Sequence, residues 1–231
     1  MSSYRVDDAT PEEIEGERAT YAPIADATRR LADLSIRSRA SPEDAATAHE
    51  HLEAALTLLG KDVDAEPYGV RYSRSGVTRA WGNAVVGVRN PIAPPLTVVS
   101  DEDGVSAEFE LSAAYEGPPG LVHGGVSALI LDQLLGEAAA AAGKPGMTGT
   151  LTVRYRRATP LGALRGEAHV DRVDGIKTYA VGHIADDEGV CVEAEGVFIL
   201  PGWARRDQGR ADEVRVALSA ARTGPRAHRC R

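Results

Sequence analysis

Cysteine is scarce: Cys191 and Cys230 are the only two in 231 residues, too few for a disulfide framework or a sulfur-rich metal centre. Long apolar runs are missing too. None reaches the roughly 18–20 residues needed to span a bilayer, and the nearest approach, residues 117–131, carries His123. The first residues, MSSYRVDDATPEEIEGE, are acidic where a secretory signal would be basic and then apolar, so a cytoplasmic protein is expected. Acids outnumber bases, 34 Asp and Glu against 26 Lys and Arg, for a formal charge of −8. That balance argues against DNA or an acidic membrane surface as the main partner. The six histidines are scattered and form no cluster with ligand spacing, so no metal site and no resident cofactor are expected. No glycine-rich nucleotide loop follows a strand.

What is present is a globular composition, 43% hydrophobic and 26% charged, with material for one sizeable core. The charge is uneven. Residues 204–231 hold eight arginines against Asp207, Asp212 and Glu213, a local +5, which leaves −13 for residues 1–203. Aromatic side chains are not interleaved with these arginines, so the stacking platform of a nucleic-acid arm is missing and a plain basic tail is expected.

Residues 1–22 are polar and acidic without an obvious period and read as a flexible leader. A helical extension is expected over residues 23–65. Ile24, Ala27, Leu31 and Leu34 recur at helical spacing. Ser41-Pro42-Glu43-Asp44 then supplies an N-cap, a first-turn proline and first-turn acids for a second helix ending at Gly60. His49 and His51 lie on different faces of that helix and read as solvated. One domain is expected over residues 75–203. Period-two patterns predict strands over 77–89, 105–112, 148–158, 163–173, 176–186 and 189–200, with turns at Asp174-Gly175 and Asp187-Glu188-Gly189. Between the second and third lies 122–143, whose only ionisable side chains are His123, Asp132 and Glu137. A helix apolar all round is surrounded by other elements. The fold class expected is α+β, an antiparallel sheet wrapped around one long central helix.

Two features of that helix point to chemistry. His123-Gly124-Gly125 opens it, and glycines there leave backbone N–H groups unobstructed at the positive end of the helix dipole. On its own this is also what a tight loop with a core histidine looks like. Asp132 is the second feature: a carboxylate among apolar residues is costly unless paired or facing a cleft, though a solvated aspartate is the ordinary alternative. His123 and Asp132 are nine residues apart, roughly 13–14 Å along a helix. They cannot touch one small reacting group within a single chain, so a shared site needs a second copy related by a two-fold axis.

The stretch 120–136, GLVHGGVSALILDQLLG, followed by 147–161, MTGTLTVRYRRATPL, resembles the signature of the hotdog-fold acyl-CoA thioesterases of the PaaI/THEM4-like group. The resemblance covers about residues 78–202 and leaves out the N-terminal helices and the basic tail. It implies a hotdog fold and hydrolysis of an acyl-CoA thioester to free acid and CoA. Asp132 takes the place of the family's carboxylate, as general base or as nucleophile. The Gly124 N–H matches the oxyanion donor, His123 orients the loop or polarises the carbonyl, and Thr148 aligns with the hydroxyl that positions the water or the acid. Where some members carry Asn or Gln six residues before the histidine, this chain has Gly117. Gly125, Val126, Leu129 and Ile130 would border the acyl group, and Arg156, Arg157 and Lys177 are candidates for the phosphates of coenzyme A. A homodimer or tetramer with shared sites follows. Two other readings compete: a non-hydrolytic acyl-CoA or fatty-acid binding or regulatory protein of the same fold, and a hotdog dehydratase or hydratase. The last fits less well, because those enzymes pair a histidine and an acid differently.

Overall fold

The computed structural model describes residues 4–200; the basic stretch 204–231 and Cys230 lie outside them. Two sheets and three α-helices account for the described chain. In the larger sheet, β4 (Val99–Ser100), β5 (Val105–Leu111), β6 (Met147–Tyr155), β7 (Gly162–Asp174), β8 (Lys177–Asp186) and β9 (Gly189–Ile199) run in the order β4-β5-β7-β8-β9-β6, every pair antiparallel. Helix α3 (Gly124–Ala141) packs on one face of it. This is the hotdog arrangement, and the central helix and the five long strands stand within a few residues of their expected places.

The core is the contact between α3 and the sheet. Ile130, Leu131, Leu134, Leu135 and Ala139 are fully buried, and they meet Phe109, Leu164, Ile184, Val192 and Phe198 from four strands. Close packing needs small residues on the sheet side. A Cβ on Gly166 would stand 2.5 Å from Leu134 Cδ1, and one on Gly196 would stand 3.2 Å from Leu135 Cδ1. The expectation that α3 is enclosed on all sides is not met within one chain. Gly125, Leu129 and Ala140 are exposed, with Asp132 and Gly136 half-buried along the same stripe.

The strand expected over 77–89 is replaced by β3 (Thr78–Arg79) and a run of turns reaching β4. Asn83 is the cause. Its Oδ1 accepts the N–H groups of Val85 (2.7 Å) and Val86 (3.0 Å), and its carbonyl accepts that of Gly87 (3.1 Å). Local side-chain bonds of this kind give the backbone an alternative to a ladder. The alternating Val85 and Trp81 are buried all the same, which explains the misleading period.

The leader is also corrected. Residues Tyr4–Asp7 form β1, and α1 spans Pro11–Arg37 rather than beginning near Ile24. Thr10 and Glu13 make a capping box: Thr10 Oγ1 accepts the Glu13 N–H at 3.2 Å, and Glu13 returns the contact to the Thr10 N–H at 2.8 Å. Thr10-Pro11-Glu12-Glu13 carries the same signal as Ser41-Pro42-Glu43-Asp44, but the apolar spacing of Ile24, Ala27, Leu31 and Leu34 does not reach back to the first turns, and only Ile14 and Ala25 are buried along α1. The second helix, α2 (Pro42–Leu59), begins and ends as expected but buries no residue.

β1 pairs in parallel with β2 (Val70–Ser73), which pairs with β3. Arg79 on β3 is 2% exposed, pairs with Asp7 of β1 and ties this small sheet to α1 through Glu17 at 3.0 Å. Glu17 also holds Arg89 at 3.0 Å, and the Arg89 guanidinium lies 3.6 Å from the Tyr21 ring centroid. Farther along, Asp33 of α1 accepts the Ala113 N–H at 3.2 Å and Arg29 Nε donates to the Ala93 carbonyl at 2.8 Å. Helix α1 thus braces the segment leading into α3. Removing one partner of a buried ion pair leaves the other charges uncompensated. Arg79→Ala is expected to lower the unfolding free energy by about 3 kcal/mol, measured by denaturant titration, whereas Arg154→Ala, on an exposed pair with Glu195, should cost under about 1 kcal/mol.

Candidate active site

The loop before α3 is held at both ends. Gly120 stands at φ 73°, a conformation that favours glycine, and its N–H donates to Glu116 Oε1 at 2.7 Å. The Val122 N–H donates to the Thr159 carbonyl at 2.9 Å, and the Leu161 N–H to the Gly120 carbonyl at 3.1 Å. The segment that leaves β6 therefore pins the approach to the helix. The His123 N–H donates to the Tyr115 carbonyl at 2.9 Å, and Tyr115 Oη donates to the Ala93 carbonyl at 3.2 Å, which links this loop to the α1 brace.

His123 is the N-cap of α3. Its Nδ1 accepts the Gly125 N–H at 3.0 Å, so the ring is neutral at that nitrogen and any proton it carries sits on Nε2. The Val126 N–H turns back to the His123 carbonyl. The Gly124 N–H precedes the first intrahelical bond, at the positive end of the helix. Gly124 borders a cleft of about 260 Å³, walled by Pro118, Leu121 and Val122 on one side and by Tyr155, Ala158 and Thr159 on the other, with the buried Ser127 at its base.

Asp132 lies two turns along the same helix. Thr148 Oγ1 donates to its Oδ1 at 2.8 Å, which leaves Oδ2 for another partner. A bulge makes this contact possible. On β6, Leu151 and Val153 pack toward α3, so Thr150, Thr152 and Arg154 face away. Thr148 would face away with them but for a register shift between Thr148 and Thr150, which sets Thr148 opposite the buried Phe198. One extra residue turns one side chain to the other face of the sheet. Gly149 is that residue, and a Cβ on it would stand 2.8 Å from Ile199 Cδ1.

The expected site residues therefore fall into two groups. Gly124, Gly125 and His123 meet at the start of α3, and Asp132 and Thr148 meet about 12 Å farther on, eight residues at 1.5 Å each. Val126 is half-buried against the core, Leu129 is 40% exposed on the open stripe, and Ile130 is fully buried in the core, where it borders no cleft. The three basic candidates are not brought together. Arg157 lines the cleft but is bound by Asp186 and by the Gly189 carbonyl (2.9 Å). Arg156 pairs with Glu193 at 2.7 Å on the outer face. Lys177 is at the Met147 end of the sheet, a β6 length of roughly 25 Å from Arg156.

The Arg157 guanidinium holds the Asp186 carboxyl below the usual carboxylate range. Burial, with the Asp186 charge adding to it, pushes the Cys191 thiol upward; a thiol of that kind is a poor nucleophile. Among the described residues, no group of three or more His, Cys, Asp or Glu side chains could hold a metal ion, and no helix is long and apolar enough to cross a membrane. Two participants escaped the sequence. Tyr155 Oη donates to the Gly124 carbonyl at 2.8 Å, and Ser127 lies under the cleft. Tyr155 stands seven residues after Thr148 on the same strand, but its partner is visible only in three dimensions.

Comparison with known proteins finds relatives among the thioesterases. The sequence model of the Thioesterase superfamily matches residues 119–193. Acyl-coenzyme A thioesterase THEM4 of Xenopus laevis is 32% identical over 164 residues, covering 62% of this chain and 74% of that protein. Acyl-coenzyme A thioesterase THEM5 of Homo sapiens is 30% identical over 94 residues, 39% of this chain and 38% of that protein, so the match spans well under half of the human relative. A solved thioesterase superfamily protein is 37% identical with a TM-score of 0.69, covering 78% of this chain and 94% of its own.

The departure at Gly117 has a steric origin. A Cβ there would stand 2.7 Å from His123 Cα and 3.2 Å from His123 N, and both are backbone atoms that cannot step aside without moving the helix start. Gly117→Asn is therefore expected to destabilise the chain by about 1–3 kcal/mol and to reduce activity rather than add to it. Thermal unfolding and turnover measured on the same preparation would test both statements.

Proposed function

Because the chain belongs to the thioesterase superfamily, we propose that it is an acyl-CoA thioesterase, hydrolysing a thioester to free acid and coenzyme A. The observation that carries this reading is a carboxylate, Asp132, fixed through Thr148 Oγ1 at 2.8 Å on the helix whose first N–H, that of Gly124, borders a cleft. The chemistry divides between the two groups. Asp132 either takes a proton from water, which attacks the carbonyl carbon, or attacks that carbon itself to give an acyl-enzyme anhydride that water then opens. In both routes negative charge develops on the carbonyl oxygen, and the Gly124 N–H stabilises it. A donor of this type contributes roughly 2.7–4 kcal/mol to the transition state. The carbon–sulfur bond then breaks and the thiolate leaves with the coenzyme.

The 12 Å between the groups means that one reacting carbonyl is served by Gly124 of one copy and Asp132 of another. A homodimer with two composite sites supplies this. The open stripe of α3 and the edge of β6, unpaired among the described residues, favour the second copy approaching there: Leu129, Met147 and Tyr155 are all exposed, and an unpaired strand edge is a ready place for another chain. The acyl chain would lie beside Val126 and Leu129, Gly125 bordering it. Of the three basic candidates for the phosphates, Arg157 lines the cleft, Arg156 stands next to it on the outer face, and Lys177 lies at the far end of the sheet.

A panel of acyl-CoA substrates of different chain length, with released thiol as the readout, tests the activity. Asp132→Asn should lose at least about 100-fold in kcat, and acyl-CoA binding should persist. Thiol release from no member of the panel by the wild-type chain, with binding intact, would establish the non-hydrolytic reading instead. The composite site has a separate test: Asp132→Asn and Gly124→Pro, each inactive alone, should regain part of the activity when unfolded together and refolded as a mixture. Refolded mixtures as inactive as the parents would refute shared sites.

A further inference from the structure

The first turn of α3 is built on two consecutive glycines, and glycine restrains its own backbone less than any other residue. Something outside the helix must hold it. Two side chains do, and both act on one peptide group. The unit joining Gly124 to Gly125 has the Gly124 carbonyl at one end and the Gly125 N–H at the other. Tyr155 Oη donates to the first at 2.8 Å, and His123 Nδ1 accepts from the second at 3.0 Å. The Tyr155 ring also abuts the glycine: a Cβ on Gly124 would stand 3.2–3.3 Å from Tyr155 Oη, Cε1 and Cζ.

From this geometry we propose that Tyr155 is a positioning residue for the thioesterase reaction, clamping the Gly124–Gly125 peptide against His123 so that the neighbouring Gly124 N–H is fixed toward the developing oxyanion. The inference rests on the acyl-CoA thioesterase reading above. Tyr155 reaches no reacting atom itself; it acts through Gly124. Its place at the end of β6 pairs it with Thr148 at the start of that strand, so one edge strand orients both halves of the chemistry, the acid through Thr148 and the donor through Tyr155. A preorganised donor avoids reorganisation at the moment of reaction, and its contribution is confined to the transition state.

Tyr155→Phe keeps the ring against Gly124 and removes only the hydroxyl. The expected result is a fall in kcat of about tenfold, the usual scale for one hydrogen bond, with KM within about twofold and an unchanged melting temperature. A merely structural tyrosine would lower stability or raise KM and leave kcat alone, and either result overturns the proposal. Amide hydrogen exchange on the assigned backbone supplies a readout that needs no turnover. In Tyr155→Phe the Gly125 amide should exchange several-fold faster and the Gly136 amide at its original rate; an unchanged Gly125 amide overturns the clamp. The wild-type chain offers a further check should the variant fail to fold: Gly125 must exchange more slowly than Gly124, and equal rates overturn the clamp. Failure of the wild-type chain to hydrolyse any acyl-CoA would overturn the thioesterase reading and the positioning role with it, while the exchange data would still report whether the peptide is held.

Discussion

Burial of one face of α3 in the six-stranded sheet sets the distances on which everything else depends, because the helix carries both the Gly124 N–H and the Asp132 carboxylate. Leu131, Leu134, Leu135 and Ala139 lock into strands β5, β7, β8 and β9, with Gly166 and Gly196 allowing the close approach. Once that face is committed, the helix can neither rotate nor slide. Asp132 is left on the partly open stripe, and about 12 Å of rigid rod separates it from the helix start. A single helix cannot bring the two groups to one carbonyl, whatever its side chains do. The shared site proposed above is thus a consequence of packing.

The edge strand β6 completes what α3 begins. Its inward face carries Thr148 at one end and Tyr155 at the other, and each hydroxyl meets α3 at a different turn. The Gly149 bulge matters here because a regular strand would turn Thr148 away from the helix. Arg154 on the outward face and Arg156 just past the strand are both paired with glutamates of β9, so the Arg156 charge expected to serve a ligand is spent instead on the sheet. Arg157 sits at the cleft but is neutralised by Asp186. Arg154, Arg156 and Arg157 are thus each paired with an acid.

The N-terminal segment shows how local signals can be present and still be passed over. Thr10-Pro11-Glu12-Glu13 starts a 27-residue helix, yet the apolar spacing that marks a helix begins only at Ile24, and the helix buries only Ile14 and Ala25. Its stability comes from polar anchors at points far apart in sequence: Glu17 to Arg79 and Arg89, Arg29 to the Ala93 carbonyl, Asp33 to the Ala113 N–H. The segment 77–89 failed in the opposite sense. Its alternation of apolar residues reads as a strand, but Asn83 captures two following amides and coils the chain.

The amino-acid sequence by itself determined the hotdog class, the span of the central helix, the run of hairpins from β7 to β9, and Gly124, His123, Asp132 and Thr148 as the residues of interest. The helix, the hairpins, His123, Gly124 and Asp132 rest on periods, caps, turn residues and spacing, all of which act between near neighbours in the chain. The hotdog class and Thr148 rest instead on the resemblance of residues 120–136 and 147–161 to a known family. Tertiary structure alone decided that Thr148 faces Asp132, that Gly117 must lack a side chain, that Arg156 and Lys177 lie far from each other, and that Tyr155 holds the peptide at the start of α3. Each of these depends on the contact of segments distant in sequence, where a shift of one residue in register exchanges the two faces of a strand and no local pattern records which face was chosen.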